Sequence, residues 1–197
     1  MNTFLKILFL VIAVTFSLSA QRDSFPAPFP GNKVSPKLNS LNLNPVSAIF
    51  GMVSGNYEHL FWLRHGLMVE GGTSFGNNYD ISIAYRYHYF PEEEHHDLIS
   101  PCWGFFIHKG RSSSKMEDPD TKIKHKLEIE LLLVGIHWGE RFAWGETFNY
   151  AWRIGYGYPV TMHFKWPDGK PGNAKTIEGI TRILGGLDSE LSIGIVF

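Results

Sequence analysis

Ionisable side chains recur at alternate positions within segments of the chain that are otherwise apolar. Asp80, Arg86 and His88 occupy even positions of one such segment. Asp188 and Glu190 do the same close to the C-terminus. Because successive side chains of a β-strand point to opposite faces, this spacing would collect acids and bases on one face of a sheet. Charged groups held there away from water must pair with one another, or else they mark a gated polar path or a proton-linked site. The full set predicted on this inner face is Glu58, Glu70, Asp80, Arg86, His88, His108, Glu128, Glu130, Arg153, Asp188 and Glu190.

The strands that would position these groups show the alternation on both faces. From Tyr79 to Phe90 the odd positions are aromatic or aliphatic, and the even positions are polar or small. Phe148 to Tyr158 and Leu187 to Phe197 repeat the pattern with nearly the same length. Rows of Tyr and Trp are too bulky to converge inside a small barrel, so this face should point outward to lipid. Less regular strands are predicted at Leu38–Phe50, Val53–Phe61, Leu67–Gly76, Pro101–Lys109 and Lys126–Trp138.

The predicted fold is all-β: an eight-stranded antiparallel up-and-down transmembrane β-barrel over residues 38–197. The sheet must close, because edge N–H and C=O groups cannot stay unpaired in hydrocarbon. The long polar segments Gly110–Lys124 and Val160–Gly186 are predicted to be outer loops, and Gly139–Phe142 a tight turn. Within the last loop, Thr176–Leu184 has apolar residues at helical spacing and predicts a short helix over the barrel mouth.

The N-terminus has the pattern of an export signal. Lys6 precedes an apolar run of about ten residues, and small and polar residues follow. We expect residues 1–20 to be a signal peptide that is cleaved after Ser19 or Ala20. Residues 21–37, which are rich in proline, are predicted to form an extended arm. The expected location is therefore the bacterial cell outer membrane.

Composition excludes several classes of function. The formal net charge is -1, so there is no basic surface to bind nucleic acid. Cys102 is the single cysteine, and an internal disulfide is therefore excluded. Glu92–Asp97 is acidic and contains two histidines, but neighbouring residues on one loop seldom converge on a metal ion, so a solvated turn is expected. No cofactor is predicted.

Several segments resemble the small outer-membrane barrels of Gram-negative bacteria. The terminal strand Ser189–Phe197 is similar to their closing strand, and Leu41–Pro45, Asn56–His59 and Gly66–Glu70 are similar to uncharacterised eight-stranded barrel families of Bacteroidota. The resemblance implies that Phe197 belongs to an assembly signal read by the barrel-assembly machinery. It also implies outer-membrane lipid and lipopolysaccharide as surroundings, and a monomer. By parity, Phe197 would face lipid.

The leading hypothesis for function is a non-enzymatic barrel with a role in the structure of the envelope or in binding through its outer loops. In that case the inward charges form a structural ion network that fills the lumen. One alternative is a soluble lipocalin-like binder whose aromatic face lines a cavity for a small molecule. Another is a lipid A-modifying enzyme that uses His137 or His163 with a hydroxyl of Ser112–Ser114 or Thr161.

Overall fold

The computed structural model describes residues 38–49, 51–61, 64–74, 78–89, 99–144 and 147–197. The predicted signal peptide, the predicted arm and the acidic turn at 92–97 lie outside these residues. Within them no helix is both long and apolar enough to cross a bilayer. The strands are β1 Asn39–Leu43, β2 Met52–Phe61, β3 His65–Ser74, β4 Asn78–His88, β5 Ile99–Glu117, β6 Lys124–Trp144, β7 Phe148–Lys165 and β8 Leu187–Val196. The two helices are α1 Pro45–Ile49 and α2 Ala174–Leu184.

The strands form a closed antiparallel barrel in which each strand pairs with its neighbours along the chain. Pairing of β1 with β8, from Ser40 opposite Val196 to Leu43 opposite Ile193, completes the circle. The backbone N–H groups of Asn39 and Phe197 also donate to each other's carbonyl oxygens over 3.0 Å. The predicted eight-stranded antiparallel up-and-down barrel is therefore confirmed, and so is a helix in the last connection.

The two faces of the sheet have opposite character. Every strand of the barrel exposes aliphatic or aromatic side chains outward, and the inward positions are mostly polar, charged or small. Tyr158, at 74% exposure, and Ile136, at 61%, illustrate how little of the protein covers the outer face. Outward aromatic residues occur toward both ends of the strands. Tyr87, Tyr89, Trp103 and Phe148 lie toward the end that carries Asn39 and Phe197, and Tyr79, Tyr156 and Tyr158 lie toward the opposite end.

The two ends of the barrel differ in height. One end carries Asn39 and Phe197, and we call it the terminal rim. At the opposite end β5, β6 and β7 continue far beyond the other strands, with 19, 21 and 18 residues. Pairing between β5 and β6 runs without a break to Glu117 opposite Lys124. The predicted loop Gly110–Lys124 is thus wrong, because a charged hairpin extends the strands there. The predicted turn Gly139–Phe142 is also wrong, since these residues lie inside β6.

The first predicted strand, Leu38–Phe50, is too long. It ends at Leu43, and α1 begins at Pro45. Asn44 caps this helix, because its Oδ1 atom accepts hydrogen bonds from the backbone N–H groups of Val46 and Ser47 over 3.0 and 3.2 Å. Asparagine at the cap and proline at the first helical position are both favourable, so the break that Pro45 predicted takes the form of a helix start.

A β-bulge reverses the inward and outward faces along β7. Leu133 pairs with Pro159, whereas Leu132 pairs with Thr161, so Val160 is an extra residue. Proline is tolerated in a sheet at such a position. Beyond the bulge, even residues point inward, and Met162 becomes buried. The segment predicted as the loop Val160–Gly186 therefore begins with six strand residues, before the helix.

The inward faces of the extended strands share one apolar cluster, which we call the hairpin core. Met68 and Phe106 contribute to it from the barrel, and Leu127 and Leu133 from β6. Ile177 of α2 packs against the same cluster. The extended wall is therefore ordered by burial of its own side chains and does not depend on strand pairing alone.

The connection between β7 and α2 is tied to the tip of the β5–β6 hairpin by Asp118. Its Oδ1 atom accepts the N–H groups of Asp120 and Thr121, over 2.9 and 3.1 Å, within the tip itself. Its Oδ2 atom accepts the N–H of Gly172 over 3.0 Å. These backbone donors, with Gly172 first, hold the pKa of Asp118 below its ordinary value.

We expect Asp118→Asn to release the segment 166–173 from the hairpin tip. The amide of Gly172 should then exchange its hydrogen faster, because its acceptor is no longer charged. The wild type should show the same loosening in acid: a carboxylate with a lowered pKa stabilises the folded state above about pH 4, and this contribution is lost as the pH falls through its folded pKa. Hydrogen exchange measured by mass spectrometry tests both. Asp120→Asn is the control, and unchanged exchange in Asp118→Asn would contradict the role.

Candidate functional site

Two guanidinium groups and one imidazole surround the carboxylate of Glu58 near the terminal rim. The guanidinium groups of Arg86 and Arg141 approach Oε2 to 3.4 and 3.3 Å. His88 Nε2 lies 2.8 Å from Oε1, and its Nδ1 lies 2.6 Å from the hydroxyl of Ser100. Glu58 and His88 are almost completely buried. Because water has little access to Glu58, its negative charge must be compensated by these neighbouring side chains.

Arg153 is the centre of a second cluster, one level farther from the terminal rim. Its Nε atom donates to Asp188 over 2.8 Å and its Nη1 atom to Glu190 over 2.5 Å. Its Nη2 atom donates to Glu70 and, over 3.1 Å, to Asp188 again. Arg153 thus uses its fork of donors on three carboxylates at once, which lysine could not do in the same geometry.

Glu190 joins the two clusters. Its Oε2 atom accepts from Arg153 and also from Arg86, over 3.0 Å. Its Oε1 atom accepts from Asn56 and from Ser192, each over 2.5 Å. Four donors therefore surround one buried carboxylate, whose side chain has no exposed surface. We call the joined clusters the lumen network.

The lumen network draws side chains from every strand of the barrel. Ser40 of β1 accepts from Arg141, and Asn42 of β1 donates to Asn56 of β2 over 2.9 Å. Ser100 links β5 to β4. Because each strand contributes at least one partner, the network connects strands that share no backbone pairing. Its members are Ser40, Asn42, Asn56, Glu58, Glu70, Arg86, His88, Ser100, Arg141, Arg153, Asp188, Glu190 and Ser192.

Most of the charged residues predicted to share this face do meet there. The lumen network contains seven of the eleven residues predicted for this face, namely Glu58, Glu70, Arg86, His88, Arg153, Asp188 and Glu190. His108 is not among its hydrogen-bonded members in the described part of the chain. Asp80 lies inside the barrel beside the network but makes no ion pair with it. Its Oδ1 atom is buried without a hydrogen-bond partner among the described residues.

Glu128 and Glu130 were predicted in the network, and the structure places them elsewhere. The inner face of β6 carries Leu127, Ile129 and Leu133, so the even-numbered acids point to the outside of the extended hairpin. Glu128 pairs there with Lys126 and Arg111, and Glu130 lies 3.8 Å from Arg111 and from Lys165. The parity was misjudged because residues 131–134 are apolar on both faces and hide the phase of the strand.

Arg141 is the main residue that the sequence analysis missed. It was assigned to a turn, because the predicted strand ended at Trp138. Yet His137 already points inward, and the same parity continued through Gly139 would have placed Arg141 inward as well. Five neutral members of the network were also missed, because an uncharged side chain does not stand out in the sequence, although their positions in the strands agree with the inner face. They are Ser40, Asn42, Asn56, Ser100 and Ser192.

His137 closes the network on the side of the hairpin core. Its ring stacks on Phe106 with centroids 5.8 Å apart, and its Nδ1 atom lies 3.8 Å from Asp188. Gly104 leaves room for the ring, since a Cβ there would come within 2.8 Å of Nε2. His163, the other histidine considered for catalysis, faces the outside of β7 opposite Glu130. No hydrogen bond in the described residues joins either histidine to Ser112–Ser114 or Thr161.

The arrangement is chemically suited to holding the barrel together. Four carboxylates face three guanidinium groups, and His88 lies against one of the carboxylates. Above this layer Met68 and Phe106 fill the interior with apolar side chains. In the described part of the chain no group of three or more His, Cys, Asp or Glu is arranged to hold a metal ion.

We expect Arg153→Met to lower the free energy of unfolding by about 3–5 kcal/mol, the usual cost of removing one partner from a buried ion pair. Glu70, Asp188 and Glu190 would all lose a donor. Urea unfolding in detergent micelles, followed by tryptophan fluorescence, measures the loss. Adding Glu70→Gln and Asp188→Asn should recover part of it, because fewer buried charges then lack a partner. Arg111→Met, which breaks exposed pairs, is the control and should lose far less. Equal losses would show that the network has no special role.

Neither the protein-family models, nor the curated proteins, nor the solved structures include one that matches this chain. Geometry and charge are therefore the grounds on which a role for this barrel rests. The two firm features are the closed eight-stranded barrel and the lumen network inside it.

Proposed function

We propose that this chain is a non-enzymatic integral protein of the bacterial outer membrane, with a role in envelope structure or in surface binding through its outer loops. The observation that carries the proposal is the apolar outer face of all eight strands. Water would make such a surface costly, at roughly 25 cal/mol for each Å² of apolar area. Acyl chains would cover it without that cost. The ligand of the outer loops is left open.

The height of the apolar surface supports a bilayer as its partner. Phe148 and Tyr158 both point outward from β7, ten positions apart. At about 3.3 Å per residue and a tilt of about 40°, they are separated by about 25 Å along the barrel axis. This equals the usual height of the apolar band in outer-membrane barrels, with aromatic residues at both of its edges. Asn39 and Phe197, at the terminal rim, would then lie on the periplasmic side.

The interior argues against the lipocalin-like alternative. A soluble barrel that binds a small apolar molecule needs an apolar cavity and a polar outside. Here the apolar and aromatic face is outside, and inside lie buried charges such as Glu58 and Arg153. The same interior favours a structural role over a conducting path, because each of these charges is already held by direct partners.

The chemistry expected of a lipid A-modifying enzyme also finds little support. A nucleophile needs a base within hydrogen-bond reach. His137 stacks on Phe106 inside the barrel, and His163 lies on the outer face of β7. The buried acids nearest His137 are engaged by Arg153. We therefore favour a non-enzymatic role.

Detergent dependence tests the membrane proposal. We expect the mature chain to be monodisperse only in detergent or bilayers, to fractionate with the outer membrane, and to migrate faster on a gel before heating than after. The last result follows because a closed barrel resists dodecyl sulfate until it is heated. Size-exclusion chromatography without detergent is the sharpest arm: a monodisperse, folded monomer in buffer alone would refute membrane insertion.

Phe197 tests the proposed link to the barrel-assembly machinery. Its backbone closes β8 onto β1, whereas its side chain is 55% exposed at the terminal rim. Phe197→Ala keeps the backbone hydrogen bonds and removes only the ring. If the ring is the signal, this variant should assemble poorly in cells but refold in detergent like the wild type. Phe148→Ala, an exposed aromatic at the same rim, is the matched control. Normal assembly of Phe197→Ala in cells would contradict the proposal.

A further inference from the structure

Helix α2 carries more apolar surface than its packing uses. Ala174 is buried, and Ile177 packs against the hairpin core. Ile180, Ile183 and Leu184, by contrast, are 53, 66 and 43% exposed. Because residues three and four apart are neighbours on a helix surface, these three form one continuous strip. We call them the helix strip. Among the residues that the structure describes, nothing covers this strip.

The helix strip adjoins the outer face of the barrel. Tyr156 points outward from β7, and its hydroxyl donates to the carbonyl oxygen of Ile183 over 3.3 Å. Two residues farther along β7, Tyr158 is the most exposed of the outward aromatics. β8 begins at Leu187, directly opposite Tyr156. We call the apolar outer face of the eight strands the apolar belt. The C-terminal end of α2 therefore lies at the edge of the apolar belt that is farther from the terminal rim.

The helix also lies beside an edge of the sheet. Pairing between β7 and β8 ends at Tyr156 and Leu187, so the upper part of β7 has no strand on that side. Gly157 donates its N–H to the carbonyl of Gly186 over 2.6 Å, and the guanidinium of Arg182 lies 5.1 Å from the centre of the Phe164 ring. Proteins commonly cover such an edge with a helix or loop. One side of α2 thus covers the unpaired edge of β7, and the other side is exposed to a binding partner.

The charges of α2 fit a lipid headgroup layer. Lys175 is exposed on the side of α2 away from the helix strip, whereas the guanidinium of Arg182 lies over the ring of Phe164. Lys170, just before the helix, is also exposed and lies 3.2 Å from Glu178. An amphipathic helix with basic residues on its polar face and aliphatic residues on the other is the form that lies in the plane of a membrane interface. Basic side chains there are attracted to the phosphates of anionic lipids.

We propose that α2 is an interfacial lipid-binding helix, with the helix strip in the acyl layer around the barrel and Lys175 at the level of lipid phosphates. The inference rests on the proposed insertion of the barrel into a membrane. It adds that the outer leaflet extends its contact beyond the strands, onto the last connection of the chain. The lipid class required is one with acyl chains and an anionic phosphate.

Site-directed spin labelling tests the proposal in the full barrel, reconstituted in bilayers of phosphatidylcholine with phosphatidylglycerol. Single cysteines are introduced at Ile180 and Ile183, with Cys102→Ser to remove the native thiol. Collision rates with oxygen and with a water-soluble nickel complex are compared. We expect the ratio of oxygen to nickel collisions at Ile180 and Ile183 to exceed that at Lys175 several-fold. Replacing phosphatidylglycerol with phosphatidylcholine should lower it, because the bilayer then has no net negative charge to attract Lys175. An unchanged ratio would overturn the requirement for an anionic lipid.

Two further labels separate the possible failures. Ile107, in the middle of the apolar belt, reports insertion of the barrel, and Asp120, at the hairpin tip, reports water. A lipid signal at Ile107 with water-like values at Ile180 and Ile183 would overturn the proposal for α2 alone. A water-like signal at Ile107 would overturn the membrane proposal itself. Labels on the helix strip that neither reagent reaches would mean that protein covers it, which also overturns lipid binding. Heat-modifiable migration confirms that each labelled variant is folded.

Discussion

The carboxylate of Glu190, held between Arg86 and Arg153, is the interaction on which the rest of the barrel depends. A buried charge is stable only when its partners are fixed in place. Here those partners come from β4 and β7, on opposite arcs of the barrel, and each reaches further carboxylates on β2, β3 and β8. In a strand that carries one of these charges, a register shift of one residue would turn the charge outward and leave its partners unpaired. The network therefore specifies the register of the barrel as well as its closure.

This use of charge follows from the apolar outer face. A soluble domain gains stability by burying apolar side chains in its centre, but a barrel whose apolar side chains point outward has fewer of them to bury inside. Ion pairs and hydrogen bonds then fill much of the interior near the terminal rim. Apolar packing predominates from Met68 and Phe106 onward, toward the part where β5, β6 and β7 extend past the other strands. There Leu127 and Leu133 form a core of the ordinary kind, with Ile177 of α2 packed against it. The molecule combines two forms of interior, and the boundary between them lies near Phe106 and His137.

Sequence periodicity was sufficient to predict the barrel and most of the lumen network, because the strands that cross the belt alternate cleanly. Arg86 and Arg153 could be placed inward from parity alone. Prediction failed where apolar and polar side chains do not alternate regularly along a strand. In β6, apolar residues on both faces concealed which positions point inward, so Glu128 and Glu130 were placed inside. Arg141 was missed because the strand was predicted to end at Trp138. In β7, the extra residue Val160 reversed the faces, and no periodic pattern can reveal such a bulge beforehand.

The unequal heights of the strands explain why the last connection is elaborate. Because β7 is longer than β8, its edge beyond Tyr156 has no strand partner. A short turn from β7 directly into β8 would leave that edge exposed. The connection instead crosses to the hairpin tip, where Asp118 accepts the N–H of Gly172, and returns through α2 along the edge. The contacts along this route pair backbone groups and bury apolar side chains that the longer strands would otherwise leave exposed. In the described part of this route, the helix strip is apolar surface that stays exposed, and at Ile183 it adjoins Tyr156 on the outer face of the barrel.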